Sequence, residues 1–529
     1  MNYSGRIAAV ALALSLAAGS AFAQKQGGVL RVYHRDSPAS MSIHEEGTIG
    51  VIMPMMGVFN NLVLYDQSVA QNSPQSIVPE LATKWSWNAD YTAITFTLRD
   101  GVKWHDGKPF SADDVKCTFD LLSDQGKEKL RLNYRGSWWT NIASTSVNGP
   151  REATVHLKRP QPGILALIAS GETPMYPCHV PPRIMRQSPI GTGPFKFVEY
   201  KPNQGIKVVR NPDYWKPGRP YLDGIEYTII PNRSTALLAF VAGKFDMTFP
   251  NEVTVPLLND VKAQLPEAVC QITPTSESVG LLINRAHPPF DNADLRKAMA
   301  LAIDRKAFIQ ILGNGQGDLG GAMLPLPEGL WGMTPEMLAT LPGYADDVAK
   351  NREEARAIMR RLGYDADNRV QVKMATRNLA VYRDPATIMI DQLKEIGIDA
   401  ELETTETATW VPKLIKKDYK IAVNVLGNPV DDPDVVFYQN YVCTTPRNYT
   451  GYCNQDLDRK VQQQSMEADF DKRRQLVREI DHTLQVELAR PIIYHRRGAT
   501  CWQPELKGIT LMVNSQYNGW RMEDVWLDR

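Results

Sequence analysis

The sequence has no excess of charge, with 59 Lys and Arg against 59 Asp and Glu in 529 residues. Nucleic-acid binding normally demands a basic footprint, so this balance argues against nucleic acid as a partner. Beyond the first two dozen residues, no uncharged apolar run approaches the ~20 residues of a membrane-spanning helix. Patterns that carry chemistry are missing too. None of the eight histidines stands in HExxH or another metal-ligand spacing, and there is no GxSxG elbow, GxxxxGK[ST] loop or CxxC pair. Without a nucleophile frame or paired carboxylates the chain is not expected to be an enzyme, and a secreted hydrolase is only a remote alternative. No cofactor and no directly bound metal are expected. Short-period repeats, low-complexity tracts and long linkers are also absent.

What is present begins with a leader. Arg6 supplies a positive start, Ile7 to Ala18 is apolar and uncharged, and Ala21-Phe22-Ala23 places small residues where a signal peptidase reads them. This predicts a signal peptide over 1–23, cleaved before Gln24, and a periplasmic mature chain. Losing Arg6 leaves one net negative charge. No Cys follows the cleavage point, so no lipid anchor is expected. The mature length exceeds what one hydrophobic core supports, which predicts at least two lobes.

Six cysteines in an oxidising compartment imply some pairing. Cys443 and Cys453 flank a short Pro- and Asn-containing turn and form the best candidate bridge. Cys117 falls inside a predicted helix and is expected to act as a small buried hydrophobe. Gly28 to His34 reads as a buried strand, and Ile94 to Leu98 alternates as a half-buried one. Ser111 to Asp114 fits a capping box. Leu295, Ala298, Met299, Ala302 and Ile303 follow helical spacing, in a helix expected to start at Asp291 and stop at Gly313. Gly363 and Gly397 end two further helices, and Ile398 to Leu402 then reads as a strand. Strands alternating with helices predict mixed α/β layers. Gly315 to Gly320 satisfies GxGxxG, but a helix precedes it and prolines follow, so the dinucleotide reading is rejected.

The candidate contacts for a ligand are few. Asp431, Asp432 and Asp434 follow the apolar strand-like Ile421 to Leu426. They would either receive a ligand amine at a strand end or simply form an Asp-rich turn. Trp138, Trp139, Trp331 and Trp410 are either core residues or pocket walls. Arg377, Tyr382 and Arg383 would grip an acidic or sugar-phosphate ligand, or else lie on solvated surface. His34 and Asn428 complete the candidate set.

Taken in order, these residues resemble the family 5 extracellular solute-binding proteins of ABC transporters, which include dipeptide-, oligopeptide- and nickel-binding receptors. Leu81 to Trp87, Thr95 to Gly107 and Ser111 to Val115 look like the family's first block. Gly191 to Phe195, Asn211 to Lys216 and Pro220 to Asp223 look like the second, and Asn284-Arg285, Pro289-Phe290 and Leu295 to Arg305 look like the third. The resemblance implies two hinged α/β lobes that close on a ligand, with a subdomain inserted in the first. Laid over this chain, it assigns 24–62, 185–272 and 492–529 to lobe I, 63–184 to the insertion and 273–491 to lobe II. It also implies a monomer that delivers a peptide or peptide-like solute to inner-membrane permease subunits, and it supports the Cys443–Cys453 bridge. In peptide-binding relatives an Asp anchors the ligand amine. Here that position falls near Asn428 or Pro429, with Asp431 as a shifted substitute. An opine, an oligosaccharide or a chelated metal is therefore the alternative solute. A chaperone-like role has nothing in the sequence to favour it.

Overall fold

The computed structural model describes residues 24–529, and the leader expected over 1–23 lies outside them. Strand Val29–His34 runs parallel to Gly224–Ile229, and the sheet continues antiparallel through Gly205–Arg210 to Phe195–Lys201. Leu30 and Val32 point into a core completed by Ile52, Phe249, Trp502 and Trp520. Between the first two strands in sequence lies a separate antiparallel sheet with its own core. Its strands, in spatial order, are Ala82–Trp87, Ala93–Leu98, Glu152–Leu157 and Ile142–Gly149. Ile94, Phe96 and Leu98 face inward, and Thr95 hydrogen-bonds Thr154 across the ladder at 2.8 Å, as the alternation predicts.

The second lobe is built on a six-stranded mixed sheet. Its order is Gly317–Asp318, Ile492–Trp502, Val269–Ile283, Ile421–Gly427, Val370–Arg377 and Ile398–Thr405. Ile421 to Leu426 is buried on both faces, which is why that stretch is apolar but for Asn424 and does not alternate. Leu295, Met299, Ile358, Met389 and Leu393 present helix faces to the same core as Val279 and Val423. Gly363 and Gly397 have φ of +87° and +86°, the left-handed conformation that ends a helix. One expected helix is in fact two, Ala293–Ala302 and Arg305–Gly313. Asp304 caps the second by accepting from the Ala307 amide at 3.0 Å, so an N-cap inside the apolar run interrupts it. Asn292, and not Asp291, caps the first.

Two strands, Val269–Ile283 and Ile492–Trp502, run through both lobes side by side. Ala499, Cys501 and Trp502 belong to the first core, whereas Val279, Leu281, Ile493 and Tyr494 belong to the second. Their register slips between Pro274 and Ser278, where Ser276 has φ +49°. This is where a paired hinge would bend, and Cys270 and Cys501, directly opposite, are bonded at its first-lobe end. All six cysteines are paired. Cys443 joins Cys453, and Cys117 joins Cys178. Cys117 is therefore no mere hydrophobe. The loop bearing Cys178 returns to helix Ala112–Leu122, where Asp114 accepts from the Cys178 amide at 2.9 Å and brings the two Cα atoms to 5.6 Å. Ser111 and Asp114 form the expected capping box.

Candidate functional site

The strand ends of the two lobes meet around a polar cavity holding about 470 Å³ of space between atoms, part of it open to solvent. The room it leaves for a solute is only about 40 Å³, well short of the ~300–1,000 Å³ of small-molecule sites, so the two walls stand nearly in contact. The first lobe contributes Arg35, Thr48 and Tyr517, and the hinge strand contributes Glu277. The second lobe supplies Arg377 and Tyr382, then Trp410, Asn424, Arg447 and Tyr449.

Most of the charge in this cavity is already matched. Arg35 directly follows the first strand, donates to Glu252 at 2.9 Å and lies 5.3 Å from the centre of the Phe249 ring. Burial works against its charge, but Glu252 and Asp36 outweigh it and hold the pKa well above the ordinary value. Arg377 ends strand Val370–Arg377 and pairs with Asp36 of the other lobe. It also donates to Thr407 at 3.0 Å and to Tyr382 at 3.4 Å. Burial alone would raise the Asp36 carboxyl, yet Arg377 and Arg35 bring it below the usual carboxylate range. Glu277 is held by Arg496 and accepts from Tyr517 at 3.4 Å. Trp410 donates its indole N–H to Asn424 Oδ1 at 3.0 Å.

Of the residues singled out by sequence, Arg377, Tyr382 and Trp410 line the cavity. His34 lies outside its lining, buried, with Nε2 at 2.7 Å from the Gly50 carbonyl and its ring against Phe249. Burial lowers its pKa and keeps it neutral. Trp138 packs in the core of the antiparallel module and donates to Gln439 at 3.1 Å. Arg383 is exposed and, among the described residues, donates to Asn378 at 2.9 Å. Asn428 is buried, with its amide N–H on the Ser276 carbonyl at 2.8 Å.

The Asp cluster also lies outside the cavity lining. Asp432 caps helix Pro433–Asn440 and takes both arms of Arg473 at 3.0 Å. Asp434 accepts from Gln161 at 2.8 Å, Gln464 at 2.7 Å and Ser465 at 2.9 Å. Asp431 accepts from the Leu330 amide at 2.7 Å. The cavity residues not singled out include Arg35, Thr48, Glu277, Asn424 and Tyr517 from five separate segments, and Arg447 with Tyr449 from the loop between Cys443 and Cys453.

Burial lifts the Asp431 carboxyl to about 8, with the Leu330 amide opposing. Its unfolded value is ~3.9, so the folded chain takes up a proton and loses stability as pH rises between these two values. Asp431→Asn, neutral at every pH, is expected to raise the melting temperature at pH ~7.5, by at least about 1 kcal/mol of stability, and to leave it unchanged at pH ~4. Melting curves at both pH values check this, and parallel pH profiles would refute it.

The fold has counterparts among known proteins. The model for the bacterial extracellular solute-binding proteins, family 5, matches residues 76–448. Heme-binding protein A of Haemophilus influenzae is 28% identical over 407 residues, covering 71% of this chain and 70% of that protein. The solved structure of the periplasmic binding protein DppA from Helicobacter pylori, in complex with the peptide STSA, superposes with a TM-score of 0.82. Its identity is 20%, and the match covers 96% of this chain and 99% of that one. The PBP AgaA from A. tumefacien R10, in complex with agropinic acid, gives a TM-score of 0.80 at 22% identity, covering 95% and 99%.

Proposed function

The chain belongs to the bacterial extracellular solute-binding proteins, family 5, and from that premise we propose that it captures a peptide or peptide-like solute between its lobes and hands it, closed, to the permease of an ABC importer. The observation that carries this reading is the cavity itself. Polar side chains from both lobes line it, and two paired strands beneath it can bend. A ligand that touches both walls gains contacts available only after closure, so it shifts the protein toward the closed form. The peptide complex of the structural neighbour DppA supports a peptide-sized occupant.

The same reading assigns 24–62, 185–272 and 492–529 to lobe I, 63–184 to its insertion and 273–491 to lobe II. It makes the exported chain a periplasmic monomer that performs no chemistry on its cargo. Arg377 and Trp410 are the sequence-derived residues we retain as ligand-side groups. A second reading, a non-peptide acid of opine type, is favoured by one observation: every carboxylate lining or adjoining the cavity already has a cationic partner. The complex of AgaA with agropinic acid belongs to that class.

Mass spectrometry of the gently purified protein, native and then denatured, tests the proposal. A small solute released at close to one per chain is expected. If it is a peptide it supports the first reading, and an organic acid supports the second. Binding of unfolded polypeptide in its place, or turnover of peptide and ester substrates, would overturn both.

A further inference from the structure

Arg447 differs from the other charged groups of the cavity. Arg35 has Glu252, Arg377 has Asp36, and Glu277 has Arg496. Arg447 has no carboxylate within 4.0 Å and no hydrogen-bond acceptor among the described residues, and its Nε is buried without a partner. It projects from the disulfide-closed loop Cys443–Cys453 across to the opposite lobe. There, Nη1 stands 3.7 Å from where a Cβ on Gly47 would lie. A half-buried cation held without a counter-charge is unfavourable unless something else completes it.

The neighbouring groups point the same way. Trp410 can only donate, so Asn424 must turn its oxygen toward the indole. That leaves the Asn424 NH2 with no acceptor among the described residues, on a side chain that lines the cavity beside Tyr449. This wall therefore offers donors and a positive charge. The carboxylates at the cavity, by contrast, are already engaged by partners within the protein. Glu277 is bound on both oxygens, Asp36 is bound by Arg377 and Thr407, and Asp431, Asp432 and Asp434 do not line the cavity.

We propose that Arg447 is the cavity's anion receiver, so that the captured solute presents a carboxylate or equivalent acidic group to it and needs no free amine. The inference rests on solute capture in this cavity and narrows the solute's class. The Arg447 side chain makes no hydrogen bond or ion pair among the described residues, so Arg447→Gln should remove the charge without breaking the fold, and its ligand-free melting temperature should match or slightly exceed that of the parent.

The test uses the full exported chain, as parent, Arg447→Gln and Arg447→Lys. Each is melted with the dialysable fraction of a yeast extract, applied untreated, methyl-esterified at its acids, or acetylated at its amines. The untreated and acetylated fractions should raise the parent's melting temperature, and the esterified fraction should not. Arg447→Gln should need roughly tenfold more of the active fractions for the same shift, the scale of one lost charge-assisted hydrogen bond, with Arg447→Lys in between. An equal response of the parent to the esterified fraction, loss of response on acetylation, or a parent-like response of Arg447→Gln would overturn the anion receiver alone. No response of the parent to any fraction would overturn solute capture itself, and the receiver with it.

Discussion

Arg377→Met is expected to weaken solute capture roughly a hundredfold or more while moving the melting temperature of the ligand-free chain little. Arg377 ends a strand of the second lobe, and Asp36 follows the first strand of the other lobe. Their ion pair is almost wholly removed from solvent. Taking one member from such a pair leaves the other charged, dry and unmatched, at a cost of about 3–5 kcal/mol. The cost falls on the closed form, because separated lobes return both groups to water. A closure equilibrium shifted by that amount appears in full in the apparent dissociation constant. Double replacement, Asp36→Leu with Arg377→Met, removes both charges and should recover most of the loss, since apolar pairs of similar volume often replace buried ion pairs without penalty. Titration of all three variants by intrinsic fluorescence separates two roles for the arginine. If the double variant binds as poorly as the single one, Arg377 holds the ligand and not the lobe.

The same pair sets a pH limit. Because the Asp36 carboxyl lies below its ordinary value, its contribution is complete above the usual carboxylate range. It is lost as pH falls below about 4, through the folded pKa. Capture should therefore weaken in strong acid in the parent and much less so in the double variant.

The fold was legible because its elements announce themselves locally. Period-two burial in Ala93–Leu98, the largely apolar, non-alternating stretch at Ile421 and the glycines closing two helices each rest on a few adjacent residues. The break at Asp304 was misread because a capping aspartate within an apolar stretch looks like one polar residue on a continuing helix face. The site was far less legible. The Asp-Pro-Asp segment drew attention at a strand end, but its charge is answered by Arg473, 41 residues from Asp432. Nothing in either segment signals that match. Arg447 carried no signal either, since its distinction is the absence of a partner, and only the assembled lobes reveal it. The one usable hint was that the expected amine-anchoring position falls on Asn428 or Pro429, with Asp431 only a shifted substitute, which already put an amine anchor in doubt.

Gly427 shows how one atom at the lobe boundary can control closure. It ends the central strand of the second lobe, lines the cavity, and faces Tyr517 of the first lobe. A Cβ at this position would overlap the Tyr517 hydroxyl and stand 2.7 Å from Cζ. Tyr517 cannot step aside freely. It is buried in the first-lobe core, and Glu277 accepts its hydroxyl. Gly427→Ala should therefore act as a wedge, with the overpacking cost of about 1–3 kcal/mol falling on the closed form and affinity dropping about ten- to a hundredfold. Its backbone is extended and pairs normally with Glu277, so the open chain should melt as the parent does. Removing the obstacle is the decisive control. Combined with Tyr517→Ala, the same substitution should be much less damaging than in the parent background, a coupling that only two groups in contact produce. If the two losses simply add, the alanine acts within its own strand, and the lobes do not meet at this point when the solute is held.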